Sequence, residues 1–274
     1  MKLQSNQVVL LTGASGGLGA YIARQFAELG LKQMLVAYPG TELPPLKDEL
    51  TASGVDAAYM VADLRQPAER ARVVQETKEK FGKIDVLINN AGIEFTAPYD
   101  TLDPSEIDSV LDVNLVAPMQ LTRLVLGEML ERGSGHIVNM SSLAGKAHPA
   151  YQEPYAASKA GLIGFTHSIR ESYHNTGVSA SVICPGFVEA GIYTRLKQNS
   201  GLSAPFLLGT SAPEKVSKAV VRSIESNQPE VVINPIPVKP LLATTVVAPK
   251  LGAWLLRSIG AHRFFKDVYR TQNN

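Results

Sequence analysis

Seven short apolar or β-branched runs, at 8–12, 34–37, 57–61, 84–89, 136–141, 178–184 and 230–233, recur between longer stretches with helical spacing. Those stretches cover 20–29, 68–81, 105–132, 154–175 and 213–226. A run that is apolar at nearly every position, rather than at alternate ones, is buried on both faces. Such strands alternating with helices imply right-handed crossovers and a parallel sheet covered on both sides. In that architecture ligands bind beyond the carboxyl ends of the strands, where strand order reverses. The residues that follow each strand are therefore the ones that carry chemistry.

The expected class is α/β, a doubly wound parallel sheet of Rossmann type with a C-terminal extension. With 274 residues and 45% hydrophobic composition, the chain can bury a large core over 1–235, including a substrate loop at 187–210. Residues 236–274 form the extension. A net charge of +1 gives no general attraction to phosphate backbones, so nucleic acid is not an expected partner, and no metal is expected. The single cysteine, Cys184, permits no internal disulfide and suits a reducing compartment. The first residues do not read as a secretory signal, and no apolar stretch is expected to reach the roughly 18–20 residues that span a bilayer, since Pro249 and Lys250 interrupt the best candidate after Leu241. A cytoplasmic location is expected.

The first strand runs into Thr12-Gly13-Ala14-Ser15-Gly16-Gly17-Leu18-Gly19. A strand, a tight glycine turn and a helix start leave backbone N–H groups facing outward, which suits a dinucleotide pyrophosphate. Gly13, Ser15, Gly17, Leu18 and Gly19 are the candidates for that contact. The same residues also satisfy Gly-x-Ser-x-Gly, the nucleophile elbow of a serine hydrolase using Ser15. That alternative needs a downstream acid and histidine, and the late histidine, His262, has no partner suggested by spacing. In NAD sites an acid at the end of the second strand takes the adenosine ribose, whereas NADP sites place an arginine nearby. Here the strand ends on Tyr38-Pro39-Gly40, and Gly16 stands where a basic residue could have helped. The lack of a carboxylate at Tyr38 favours NADP(H) over NAD(H).

The run at 136–141 ends on two hydroxyls, Ser141 and Ser142. Tyr155-Ala156-Ala157-Ser158-Lys159 follows at a helix start, with tyrosine and lysine on one helix face. A phenol with a pKa of about 10 is a poor base at neutral pH. An ammonium about 4 Å away is worth about 4 kcal/mol at an effective dielectric of about 20, enough to lower that pKa by about 3. Ser142 can hold a substrate oxygen while Tyr155 moves its proton. The expected reaction is the interconversion of an alcohol and a carbonyl by hydride transfer with a nicotinamide. The alternative is a sensor that holds NAD(P) without turnover, which has no need of the three groups together.

With Thr12-Gly13-x-x-x-Gly17-x-Gly19, Asn89-Asn90-Ala91-Gly92, Asn114, Ser142, Tyr155-x-x-x-Lys159 and Pro185-Gly186 in this order, residues 7–235 resemble the short-chain dehydrogenase/reductase family. The resemblance implies that Asp63 and Leu64 bracket the adenine and that Asn89, Asn90, Ala91 and Gly92 lie along the ribose and the middle of the nucleotide. It implies that Lys159 bonds the nicotinamide ribose beside Tyr155, and that Asn114 bends its helix to hold a water in a proton relay. Pro185, Gly186 and Val188 fall at the nicotinamide. The sequence departs from the family at Ala190, where a threonine commonly bonds the carboxamide, so the backbone near Val188 or the hydroxyl of Thr194 is expected to substitute.

Between 187 and 208 the chain carries Phe187, Ile192, Tyr193, Leu196, Phe206, Leu207 and Leu208, opposite His148 and Tyr151, which favours a small-molecule substrate that is hydrophobic. The extension holds six Lys or Arg and one acid, Asp267, and sets Leu251, Trp254, Leu255 and Ile259 at helical spacing. Such a segment can lie on a membrane surface as a peripheral contact, cap the pocket or pack on a partner subunit. The helices at 105–132 and 154–175 can pair between subunits of a homo-oligomer.

Overall fold

The computed structural model describes residues 1–272. The last two residues of the expected extension, Asn273 and Asn274, lie outside the described residues. All seven expected strands form: β1 (Val8–Thr12), β2 (Lys32–Ala37), β3 (Ala57–Val61), β4 (Val86–Asn89), β5 (Gly135–Met140), β6 (Val178–Pro185) and β7 (Glu230–Ile233). They join in one parallel sheet in the order β3-β2-β1-β4-β5-β6-β7. The order reverses between β1 and β4, which opens a crevice above their carboxyl ends.

The continuous apolar runs exist because neighbouring residues feed two separate cores. Val9, Leu11, Val86, Ile88 and Val138 pack on one face of the sheet. Leu10, Leu87 and Ile137 pack on the other. Helices α1 (Leu18–Ala27), α2 (Leu43–Ala52) and α9 (Pro213–Glu225) cover the first face through Ile22, Phe26, Leu46, Val216 and Val220. Helices α3 (Pro67–Phe81) and α5 (Ala117–Glu131) cover the second through Val73, Val74, Leu121 and Val125. The sequence gives little sign of α2, because Pro44 and Pro45 interrupt its pattern; both occupy the first turn, where a missing N–H costs no helical bond.

The stretch expected as one helix at 105–132 is three pieces. It opens as α4 (Pro104–Leu111), capped reciprocally by Asp103 and Glu106, passes through a π-helical turn at Asp112–Val116, and continues as α5. By length and composition the whole run, Pro104–Glu131, could cross a membrane, contrary to the expectation that no stretch is long enough. Its apolar residues Ala117, Leu121, Val125 and Met129 instead fill the core beneath the sheet. After β5 come α6 (Ala144–Ala147) and α7 (Glu153–Ser172); the substrate segment folds as α8 (Ile192–Ser200).

The extension forms α10 (Lys239–Val247), α11 (Pro249–Ser258) and α12 (Ala261–Gln272). Phe264 and Val268 of α12 pack on Tyr193 and Leu196 of α8. Phe187 meets Phe264 at 5.1 Å and Tyr193 at 5.3 Å between ring centroids, and each such pair contributes about 0.5–1.5 kcal/mol beyond burial. The extension is thereby clamped to the substrate segment.

Candidate active site

One cavity of about 810 Å³ runs from the ends of β1, β2 and β3, across β4 and β5, to the extension. At its near end the glycine turn leads into α1. Gly17 has φ of +50°, and a Cβ there would lie 2.6 Å from Gly191 Cα, so no other residue fits this crossing of two loops. The N-terminus of α1 has no side-chain cap and no acid in its first turn. Its free N–H groups and the positive end of the helix dipole face the cavity and suit an anion such as a pyrophosphate.

Thr12 and Asn90 bind the two sides of the switch point together. The Thr12 hydroxyl accepts from the backbone N–H of Asn90 at 3.0 Å and of Ala91 at 3.2 Å. The Asn90 amide donates to the carbonyls of Thr12 and Gly13. Of the residues expected to hold a dinucleotide, Gly13, Ser15, Gly17, Leu18, Tyr38, Asp63, Leu64, Asn90, Ala91, Gly92, Pro185, Gly186 and Val188 line the cavity. Gly19 and Asn89 lie behind its wall. Gly19 lets α1 press against Gly13, where a Cβ would meet the Gly13 carbonyl oxygen. Asn89 is buried and donates to Asn139 at 2.8 Å.

Arg65, absent from the sequence expectations, also lines the cavity beside Tyr38, Asp63 and Leu64. Its guanidinium forks onto Asp63 at 2.6 Å and stands 6.0 Å from the Tyr38 ring centre. This pairing holds the Asp63 carboxyl below the usual range. The basic group missing from the second strand thus arrives from the third.

In the middle of the cavity, Ser142 after β5 and Tyr155 and Lys159 on α7 converge. The Ser142 hydroxyl stands beside the phenol, and Lys159 Nζ lies 5.6 Å from the Tyr155 ring centre. Nζ donates to the Met140 carbonyl at 2.9 Å. Burial pushes the Tyr155 phenol up to about 12, opposed by the Ser142 hydroxyl and reinforced by the charge of Glu94. Burial brings Lys159 down to about 8. Desolvation, rather than the charge of Lys159, sets the direction for the phenol, so the expected lowering by lysine does not show in this structure. The phenol is therefore held protonated at neutral pH, as a proton donor requires.

Asn114 sits in the π-helical turn, fully buried. Its side chain accepts from Ile93 N–H and donates to the Ile93 carbonyl, both at 2.9 Å, and reaches Ser158 Oγ at 3.2 Å. A Cβ on Gly92 would lie 3.4 Å from both Asn114 Oδ1 and Lys159 Nζ, so these two groups flank the same glycine. The expected helix distortion at Asn114 is present, with Asn114 behind the cavity wall.

Ala190 faces the cavity, whereas Thr194 lies outside its lining with a buried, unpartnered hydroxyl. Of the apolar loop residues, Phe187, Ile192, Tyr193, Leu196 and Leu208 line the cavity, but Phe206 and Leu207 point outward. His148 and Tyr151 also stand outside it, Tyr151 packing edge-on against Tyr269. The far wall comes from the extension through Val238, Leu241, Leu242, Leu256, Ala261 and Phe265. A second unexpected group is Glu94, nearly buried beside Tyr155. It accepts from Arg195 at 3.0 Å, Gln152 at 3.0 Å and Thr96 at 2.8 Å. Ser15 has no such constellation: His262 Nδ1 accepts from Ala150 N–H on α12's own side of the molecule, which leaves the hydrolase alternative without a base.

Residues 7–201 match the family model described as short chain dehydrogenase. The ketoacyl reductase HetN of Nostoc sp. (strain PCC 7120) is 41% identical over 248 residues, which cover 90% of this chain and 85% of that one. A metagenomic short-chain oxidoreductase solved in complex with NADP superposes with a TM-score of 0.72 at 33% identity, over 85% of this chain and 99% of that one. A single-residue variant of actinorhodin polyketide ketoreductase solved with NADPH gives a TM-score of 0.77 at 30% identity, over 85% and 97%. With its fold, its motifs and these relatives in agreement, the chain belongs to the short-chain dehydrogenase/reductase family and is an oxidoreductase of alcohol and carbonyl groups.

Proposed function

We propose that this chain reduces a ketone carried on an apolar chain, of the ketoacyl kind, with NADPH. The observation that carries the reading is that Ser142, Tyr155 and Lys159 share one cavity with an apolar wall built by the extension. When bound, the nicotinamide supplies the hydride. Ser142 and Tyr155 offer two hydroxyls to one substrate oxygen and polarise it. The protonated phenol then gives its proton to the developing alkoxide, and the nearby Lys159 ammonium stabilises the phenolate left behind. Asn114 fixes the Ile93 backbone and flanks Gly92, which positions this side of the cavity rather than touching substrate.

The uncapped α1 and the Gly13–Gly17 turn fit the pyrophosphate, and Asp63 and Leu64 fit the adenine. The choice of NADPH rests on Arg65 beside Tyr38 and on the two similar structures solved with NADP and NADPH. The ketoacyl assignment rests on the apolar wall and on the named activity of the Nostoc relative. Met119 and Leu124, exposed on α5, support pairing with a second copy, which sedimentation velocity measures directly.

The test is a titration with NADPH and NADH followed by a panel of ketones of increasing chain length. NADPH is expected to bind more tightly, and turnover is expected to rise with chain length. Tyr155→Phe is expected to lose about 10²–10⁴-fold in activity while cofactor affinity stays within a few fold. Best turnover of small polar ketones, or an active Tyr155→Phe, defeats the reading.

A further inference from the structure

We propose that the outer face of the C-terminal extension is a docking surface for an anionic lipid bilayer. Sequence periodicity sets Leu251, Trp254, Leu255 and Ile259 in one stripe, but the residues of α11 that turn inward are Gly252 and Leu256. Gly252 lies so close to α10 that a Cβ would sit 2.6 Å from Thr245 Cα. This tight crossing sets the end of α10 beside the exposed face of α11. Val246 is 79% exposed, Val247 85% and Trp254 57%, and Leu251 lies on the same face one turn before Trp254.

The substrate segment adds to this surface. Its turn at 205–208 leaves Phe206 97% exposed and Leu207 open to solvent, while Pro205 approaches Gly260 at the end of α11. Single apolar residues on a surface need no explanation, but Val246, Val247, Leu251 and Trp254 are exposed on two helices that cross at Gly252, and apolar residues gathered in this way mark an interaction site.

Charge selects the occupant. Lys239, Lys250, Arg257 and Arg263 are exposed on the extension. Its single acid, Asp267, is taken up by Arg263 and Arg270. Lys239, Lys250 and Arg257 have no ion-pair partner among the described residues. A second copy of the same face would bring cations against cations. An anionic bilayer offers headgroups to the cations and acyl chains to Phe206, Val247 and Trp254. The opposite sides of α10 and α11 wall the cavity through Leu241, Leu242 and Leu256. Docking therefore leaves the cavity about one helix diameter, roughly 10 Å, from the lipid.

Trp254 is the only tryptophan in the chain, so its emission reports directly on this face. The full chain is titrated with phosphatidylcholine vesicles, with and without phosphatidylglycerol, and binding is checked by co-sedimentation. The expected result is a blue shift and pelleting with phosphatidylglycerol vesicles, both weakened by salt. Phe206→Ser with Val247→Ser should weaken partitioning by about tenfold or more, since neither side chain lines the cavity. Lys250→Glu with Arg257→Glu should weaken it by about tenfold on anionic vesicles alone. Thermal unfolding of both variants is measured alongside, and unchanged midpoints assign their loss of binding to the surface.

No shift and no pelleting with phosphatidylglycerol vesicles at low salt overturns the proposal, as does equal binding to both vesicle types. So does wild-type binding by the variants. A shift without vesicles that grows with protein concentration, matched by a dimer in sedimentation velocity, assigns the face to a second copy instead.

Discussion

Lys159→Met should make the cofactor-free protein more stable while destroying its activity. Lys159 is only 4% exposed, and its pKa falls from the ordinary 10.5 to about 8. At about 1.4 kcal/mol for each pH unit, holding this ammonium in the fold costs about 3 kcal/mol at neutral pH. Methionine keeps the apolar stem and removes the charge. It also forfeits the bond to the Met140 carbonyl, worth about 1 kcal/mol. The net gain is about 2 kcal/mol, or roughly 4 °C or more in Tm for a chain of this size. Between about pH 8 and 10.5 the unfolded lysine binds more protons than the folded one, so wild-type stability rises with pH in that window. The advantage of the variant must therefore shrink as pH rises. Tyr155 acts in the opposite sense from about pH 10 to about 12, where its raised pKa makes the fold lose stability, so the comparison is made at about pH 7 and about pH 9.5. Denaturant unfolding at the two values measures it. A variant no more stable than wild type at neutral pH, or a difference indifferent to pH, refutes the assignment of a strained, desolvated lysine.

Other outcomes follow from single contacts. Gly17→Ala places a Cβ against Gly191 at positive φ; it should cost about 1–3 kcal/mol and abolish cofactor binding measured by fluorescence. Arg65→Gln should reduce the preference for NADPH over NADH by about tenfold, since one charge-assisted contact is worth about 1.5–3 kcal/mol, with turnover at saturating cofactor unchanged. Arg195→Ala leaves Glu94 without its cation, which opposes ionisation of Tyr155, and should lower kcat for reduction more than it raises KM. Adding Glu94→Gln, which keeps bonding capacity for Gln152 and Thr96, should recover much of that loss.

What could be read from the chain depends on how local the determining contacts are. The strands were legible because each is apolar on both faces, and Ser142, Tyr155 and Lys159 because helix geometry fixes how tyrosine and lysine align. Arg65 was not, since it reaches Tyr38 from the end of a different strand, and no spacing along the chain signals that approach. Glu94 reads as an ordinary solvated carboxylate. Its partners Gln152 and Arg195 are 58 and 101 residues away, and only the fold reveals the cluster. In the extension, periodicity established that helices form but not which way they face. Gly252, which by propensity alone only weakens a helix, is where α11 crosses closely over α10.

In the proposed mechanism, the Glu94 cluster links the seating of α8 to the proton step. The charge of Glu94 works against ionisation of Tyr155, so anything that leaves this carboxylate uncompensated makes the phenolate harder to form. Arg195, which compensates it, belongs to α8, the same helix whose Tyr193 and Leu196 are packed against Phe264 and Val268 of α12. Loosening the extension therefore does more than open the apolar wall, because it frees the helix that brings Arg195 to Glu94. In the proposed mechanism, unseating α8 is therefore expected to slow reduction, so the residues that seat α8 would serve the chemistry of the site as well as its shape.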